Sequence, residues 1–218
     1  MSIAKIIGSI NNELPQGVRL VAVSKFHPAE AVAEAYNAGQ RVFAESRPQE
    51  FAAKYAELPK DIEWHFIGHL QTNKLKLVLP YVSLVQSVDS LRLLEAINAW
   101  ALANNKQINV LLEMHIAAED SKQGFSADEI IAILGNAESY SGLKFCGLMG
   151  MATFTDEKAV IRADFEKIKT LMDTIKTDFP ELVHFKELSI GMSDDYPIAL
   201  EYGATLVRIG TKIFGHRN

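Results

Sequence analysis

Arg19-Leu20-Val21-Ala22-Val23-Ser24 carries four apolar residues in an unbroken row, and this row decides the fold. A short run without polar alternation fits a strand buried on both faces, as the strands of a parallel sheet are. The next residues agree. Pro28 suits the first helical position, where a missing N–H costs nothing, and Gly39 suits the residue just past the helix end. The same unit then recurs. Residues 41–44 read as a second strand, with a polar helix over 48–58, and Trp64-His65-Phe66-Ile67 opens a third unit. A fourth strand covers 84–87. Asp89 is the expected cap of the next helix, which is striped by Leu93, Leu94, Ile97, Trp100 and Ala101.

The second half continues in the same way. Strands are expected over 109–114, 144–149, 187–190 and 204–209. Between them lie helices near 127–134 and 195–201, and a long one carrying Ile161, Phe165, Ile168, Met172, Ile175 and Phe179 at helical spacing. Eight strands alternating with helices, with no linker or shift of composition, point to an α/β fold: a (β/α)8 TIM barrel forming one domain over 1–218. An open doubly wound sheet is the competitor, but it usually has fewer strands at this length. Ile3, Ile6, Ile7 and Ile10 mark an extra N-terminal helix packed on the outside.

Composition narrows the class. With 218 residues, 48% apolar and 22% charged, the chain can bury a full core, which excludes disordered and fibrous classes. Its one cysteine cannot form an internal disulfide. The net charge of −5, with no basic block, excludes the electrostatic footprint of a nucleic-acid binder. No apolar run approaches the ~20 residues of a membrane span, and the N-terminus lacks the continuous apolar stretch of a signal peptide. A soluble, cytoplasmic protein is expected.

In a barrel, chemistry belongs at the C-terminal ends of the strands. Lys25 ends an otherwise apolar run. Desolvation lowers a lysine's pKa and frees its amine to form a Schiff base, although a lysine there also simply marks where a strand meets solvent. After the seventh and eighth strands come Gly191-Met192-Ser193 and Gly210-Thr211. Glycines let backbone N–H groups approach a phosphate and Ser193 or Thr211 adds a hydroxyl, but turn glycines with a capping serine have the same appearance. Arg208 shares a strand face with Gly210 and reads as a donor to a ring or anion at the mouth, or as a surface or ion-paired arginine. His65, His69 and His115 lack metal-ligand spacing and read as core or rim residues; Cys146 reads as a small hydrophobe. Asp194 and Asp195 are explained by helix capping. Gln71, Asn73 and Lys74 either line the mouth or open a helix.

These residues resemble a known family. Val21-Ala22-Val23-Ser24-Lys25, then Trp64-His65-Phe66-Ile67-Gly68 with Leu70-Gln71 and Asn73-Lys74, are similar to motifs of the pyridoxal phosphate homeostasis proteins. So are Leu188-Ser189-Ile190-Gly191-Met192-Ser193-Asp194-Asp195 and Val207-Arg208-Ile209-Gly210-Thr211 with Ile213-Phe214-Gly215. The resemblance runs in order over nearly the whole chain. It implies a barrel like the N-terminal domain of alanine racemase that binds pyridoxal 5′-phosphate. Lys25 would form the Schiff base, Gly191, Met192, Ser193, Gly210 and Thr211 would hold the phosphate, and Arg208 would face the pyridine nitrogen. The family commonly has Gly-Glu-Asn where this chain has Ala44-Glu45-Ser46, so Ser46 stands in for a cofactor-touching asparagine with a shorter reach.

Two classes of function compete. One is a protein that sequesters, buffers or supplies the cofactor, with apo-enzymes as possible recipients and no robust turnover. The other is an amino-acid racemase or related enzyme, which needs acid–base groups on both faces of a substrate carbon. In alanine racemase, one of these is a tyrosine contributed by the second domain of a partner subunit. Eight units consume this chain, and none of its six tyrosines follows the strand ends singled out above. The expectation is therefore a monomeric binder. An aldolase-type Schiff base on Lys25 without a cofactor is a third reading, weakened by the two phosphate-type loops.

Overall fold

A strand that is apolar on both faces needs cover on both, and here each run finds it in a closed sheet ringed by helices. The computed structural model describes residues 2–119 and 123–215. The strands are β1 Arg19–Val23, β2 Val42–Glu45, β3 Glu63–Phe66, β4 Leu84–Val88, β5 Ile108–Met114, β6 Leu143–Gly150, β7 Glu187–Ser189 and β8 Leu206–Ile209. They pair in that order, all parallel, and β8 returns to β1 in register from Arg19–Leu206 to Ala22–Ile209. The expected eight-stranded α/β barrel is therefore the fold.

Alternation along each strand divides the core in two. Val21, Val23, Val42, Ala44, Leu84, Leu111, Met149 and Leu206 fill the barrel interior. Their neighbours Leu20, Ala22 and Phe43 point outward into a second layer, shared with the helices. These helices are α1 Ile3–Glu13, α2 Ala29–Asn37, α3 Pro48–Glu57, α4 Leu75–Val78, α5 Leu91–Ala103, α6 Ala127–Gly135, α7 Lys158–Asp178, α8 Tyr196–Glu201 and α9 Thr211–Phe214. In the outer layer Phe51 of α3 meets Trp64 and Phe66 edge-on, with centroids 5.8 and 6.1 Å away. Helix α7 contributes the predicted stripe from Ile161 to Ile175, while Phe179 lies just past its end. The extra N-terminal helix is present as α1, with Ile7 and Ile10 buried and the helix set against α2 and α9. Gly39 and Gly203, at φ +98° and +79°, follow α2 and α8 as expected. Among the described residues, no helix is long and apolar enough to cross a membrane.

The third unit is shorter than the others: a 3-10 turn at Thr72–Lys74 runs into the four-residue α4. Asp89 does not cap α5. Strand β4 continues to Val88, so the N-cap falls on Ser90 and the Asp89 carboxylate turns to His69 Nδ1 at 2.8 Å.

Phe165 is fully buried between α7 and the sheet. Truncating it leaves a cavity the ring of helices cannot close, so Phe165→Ala is expected to cost about 3–5 kcal/mol. A urea titration should show a lower midpoint with an unchanged slope.

Candidate functional site

Sheet closure gathers residues far apart in sequence onto one rim. Lys25 follows β1 two residues beyond its end, Ser46 follows β2, the Gly191-Met192-Ser193 loop follows β7, and Gly210-Thr211 follows β8. Arg208 lies within β8. In the closed order β7, β8, β1 and β2 are consecutive, so the predicted residues occupy one arc at the C-terminal mouth. Lys25 and Ser46 are half-buried there.

The two loops leave donors available. Gly191 has φ +89°, and a Cβ on it would sit 2.7 Å from Ala199 Cβ and 2.9 Å from Tyr196 Cα, so only glycine lets this loop fold onto α8. The Arg208 N–H donates to the Gly191 carbonyl at 2.9 Å and ties the first loop to β8. A Cβ on Gly210 would stand 3.0 Å from the Val23 carbonyl oxygen, which ties the second loop closely to β1. Neither the amide N–H nor the hydroxyl of Ser193 or Thr211 has a partner among the described residues, and the Ser46 hydroxyl likewise has none. Met192 differs, because its N–H already donates to Asp195 Oδ1 at 2.5 Å. Asp195 thereby pins the loop before α8, and its side chain does not cap the helix as expected.

Arg208 is only 4% exposed, and burial draws its pKa down to about 10. Its Nη1 donates to the Ser189 carbonyl and to Ser189 Oγ, both at 2.7 Å, and its Nη2 to the Gly150 carbonyl at 2.9 Å. Among the described residues no carboxylate forms a salt bridge with it, and its Nε has no partner. The contacts continue down the barrel axis. Ser189 Oγ donates to Gln86 Oε1 at 2.6 Å, Gln86 Nε2 to His65 Nδ1 at 2.8 Å, and His65 Nε2 to Glu63 Oε1 at 3.2 Å. Arg19 meets the same Glu63 oxygen at 3.0 Å. An arginine only donates and an ionised carboxylate only accepts, so the two ends assign every proton in the line. Burial keeps His65 neutral by lowering its pKa, while the His65 hydrogen bond and Arg19 hold Glu63 down to about 2.

On the opposite arc, Glu113 of β5 shares the interior face of Leu111 and is 6% exposed. Burial, aided by the nearby Asp89 charge, raises its pKa to about 7, against the pull of Arg208 and His69. A separate cavity of about 430 Å³ is lined by His69, Gln71, Thr72, Asn73, Ser90 and Arg92. Gln71 and Asn73 thus line that cavity and, with Lys74, belong to a helical turn. Of the histidines, His65 is core and His69 is rim, while His115 Nε2 donates to the Ala117 carbonyl at 3.0 Å. Cys146 is partly buried against the barrel interior. Sequence reasoning passes over Glu113, Gln86 and Ser189. Glu113 interrupts an apolar strand as Lys25 ends one, which is a usable signal; Gln86 and Ser189 are 103 positions apart and only the topology joins them.

This architecture, with a lysine, two donor loops and a buried arginine on one arc, defines a barrel of the alanine racemase type. Residues 2–218 match the family model described as "Alanine racemase, N-terminal domain". The chain is 38% identical over 200 residues to the pyridoxal phosphate homeostasis protein of Aquifex aeolicus, covering 91% of this chain and 87% of that one. It is 36% identical over 208 residues to the protein of that name from Escherichia coli, covering 94% and 88%. PipY of Synechococcus elongatus, solved without PLP, superposes with a TM-score of 0.92 at 36% identity over 98% of this chain and 100% of that chain. PipY solved with PLP bound gives 0.89 at the same identity and coverage. Alanine racemase from Clostridium difficile, at 16% identity and a TM-score of 0.80, shares the fold over 99% of this chain and 60% of its own. The chain belongs to the pyridoxal phosphate homeostasis protein family.

Glu113 sets a pH dependence. Its folded pKa of about 7 exceeds the ~4.3 of an unfolded glutamate, so the folded state binds the extra proton between those values. The stability it contributes is complete below about pH 4 and is lost as pH rises towards and through 7. The excess stability of Glu113→Gln over the cofactor-free wild type should therefore grow from pH 5 to pH 8, as read by chemical denaturation at both values.

Proposed function

We propose that this protein binds pyridoxal 5′-phosphate at the barrel mouth, as a Schiff base on Lys25, and serves intracellular homeostasis of that cofactor. The observation that carries the reading is one arc of complementary groups. It comprises the half-buried Lys25 after β1 and, unpartnered among the described residues, the donors of Ser193 and Thr211 and the Nε of Arg208. They fit the parts of the cofactor in turn. When bound, the cofactor supplies a reactive aldehyde and an electron-accepting ring. The Lys25 amine suits the aldehyde. The Ser193 and Thr211 amides and hydroxyls suit the phosphate, with Gly191 and Gly210 keeping the loops close-packed. The Met192 amide is already engaged with Asp195, so this loop's donors to the phosphate come from Ser193.

Arg208 decides the chemical character of the site. Its Nε–H presents a donor to the pyridine nitrogen, and its cationic charge disfavours protonation there. That weakens the ring as an electron sink and favours holding the cofactor over turning substrates over. The hydrogen-bonded line below Arg208 keeps the guanidinium oriented. Ser46 offers only a short hydroxyl at the rim, reaching the cofactor through a water. The relatives' shared name, pyridoxal phosphate homeostasis protein, supports the biological side of the reading. In this role the protein sequesters and buffers the aldehyde in the cytoplasm and supplies it to apo-enzymes, acting as a monomer.

Purified protein mixed with pyridoxal 5′-phosphate should turn yellow, and borohydride reduction with peptide mapping should place the adduct on Lys25. Lys25→Ala should abolish the mapped adduct. Protein that stays colourless at saturating cofactor, or an adduct on another lysine, would overturn the assignment. Arg208→Gln should shift the visible spectrum while retention falls by less than about tenfold, since one donor among several contacts is lost.

A further inference from the structure

Lys25 is flanked by two residues that are gripped from behind the sheet. On one side, the Ser24 carbonyl accepts from Lys54 Nζ at 2.7 Å, and the Ser24 hydroxyl donates to Glu45 Oε1 at 2.6 Å. On the other, the Phe26 backbone N–H donates to Glu50 Oε1 at 2.6 Å. One ammonium ties the two grips together: Lys54 Nζ lies 2.7 Å from Glu45 Oε1 and 2.8 Å from Glu50 Oε1. Ser24 and Glu45 follow the outward parity of Ala22 and Phe43, so this cluster lies between the sheet and α3, which carries Glu50 and Lys54 one turn apart. Lys54 is 5% exposed and Glu45 fully buried.

The arrangement is costly. Phe26 has φ +68°, a left-handed conformation that a bulky L-residue adopts only under strain. The Arg47 guanidinium packs over its ring at 4.2 Å. Glu45 Oε2 is buried with no hydrogen-bond partner among the described residues, and a buried ion pair offsets its own desolvation poorly. A cluster serving stability alone would retain neither the strain nor the orphaned oxygen. Its effect is local: it immobilises the backbone immediately before and immediately after Lys25.

We propose that Lys54, Glu45 and Glu50 are positioning residues for the Lys25 amine, fixing the β1–α2 turn so that the amine meets an incoming aldehyde in reactive geometry. The proposal rests on the reading of Lys25 as the cofactor's lysine. The step served is a condensation: the amine nitrogen adds to the aldehyde carbon, a C=N bond replaces C=O, and the oxygen leaves as water with both amine protons. Proton count and electrons balance without a further reactant. The positioning residues touch neither reactant.

Glu50 offers a test that leaves the buried Lys54–Glu45 pair intact. In Glu50→Ala the Phe26 amide loses its acceptor, whereas Glu50→Gln keeps a side-chain carbonyl in the same place. In cofactor-free protein, Phe26 amide exchange by NMR should be slow in wild type and Glu50→Gln and fast in Glu50→Ala, with barrel amides unchanged. The rate of pyridoxal 5′-phosphate capture should fall about 10–100-fold in Glu50→Ala and return to within about threefold of wild type in Glu50→Gln, in line with the cost of a small misplacement. Loss of Phe26 protection with an unchanged capture rate would overturn the positioning role alone. Loss of protection throughout the barrel would also overturn it, by assigning the cluster to global stability. A wild type that captures no cofactor on Lys25 would overturn the underlying reading and this proposal together.

Discussion

The ladder between β1 and β8, in register from Arg19–Leu206 to Ala22–Ile209, turns a chain of repeating units into a site. Without it, Lys25 and the Gly210-Thr211 loop would lie at opposite ends of an open sheet, separated by the full width of eight strands. With it, the first and last strands are neighbours and the rim closes into one arc. Closure also removes the exposed edges a parallel sheet would otherwise present. The same constraint creates an interior that must be filled, and the filling differs from floor to mouth.

Val21, Val42, Leu84, Leu111 and Leu206 supply an apolar packing. Threaded through it is the hydrogen-bonded line from Glu63 to Arg208. A buried guanidinium without a carboxylate partner is expensive, and its contacts to Ser189 and Gly150 offset that only in part. The arginine stays charged and directed at the mouth because each member of the line has one proton arrangement available. Behind Lys25 a second polar cluster sits outside the sheet, also retained at a cost. The cluster behind Lys25 backs the arc that carries the lysine and the donor loops, and the line reaches that arc at Ser189 and Arg208 after crossing the barrel from β3 and β4. Strain and buried polarity are thus kept where they serve the site.

The fold is legible in the sequence because its signal is local. Four apolar residues before Lys25, Pro28 and Gly39 around a helix, and the Ile161-to-Ile175 stripe each declare an element within a few positions. Lys25, Arg208 and the two glycine loops are legible for a related reason: they are polar or flexible residues at the ends of apolar strands. Other features need the third dimension. Asp89 has the look of a helix cap and is instead the partner of His69, because β4 runs one residue longer than its apolar signal. Lys54 sits on a helix that reads as polar and solvated, and only contact with Glu45 shows that it is buried. Met192 reads as one of the phosphate-binding residues, yet its amide is already taken by Asp195, which no spacing rule foretells.

A crystal structure of the protein saturated with pyridoxal 5′-phosphate tests the central claim most directly. The account predicts continuous density from Lys25 Nζ into the cofactor, the phosphate between the Ser193 and Thr211 loops, and the pyridine nitrogen facing Arg208. Density for the cofactor elsewhere on the rim, such as the cavity between His69 and Arg92, with Lys25 unmodified, would contradict it.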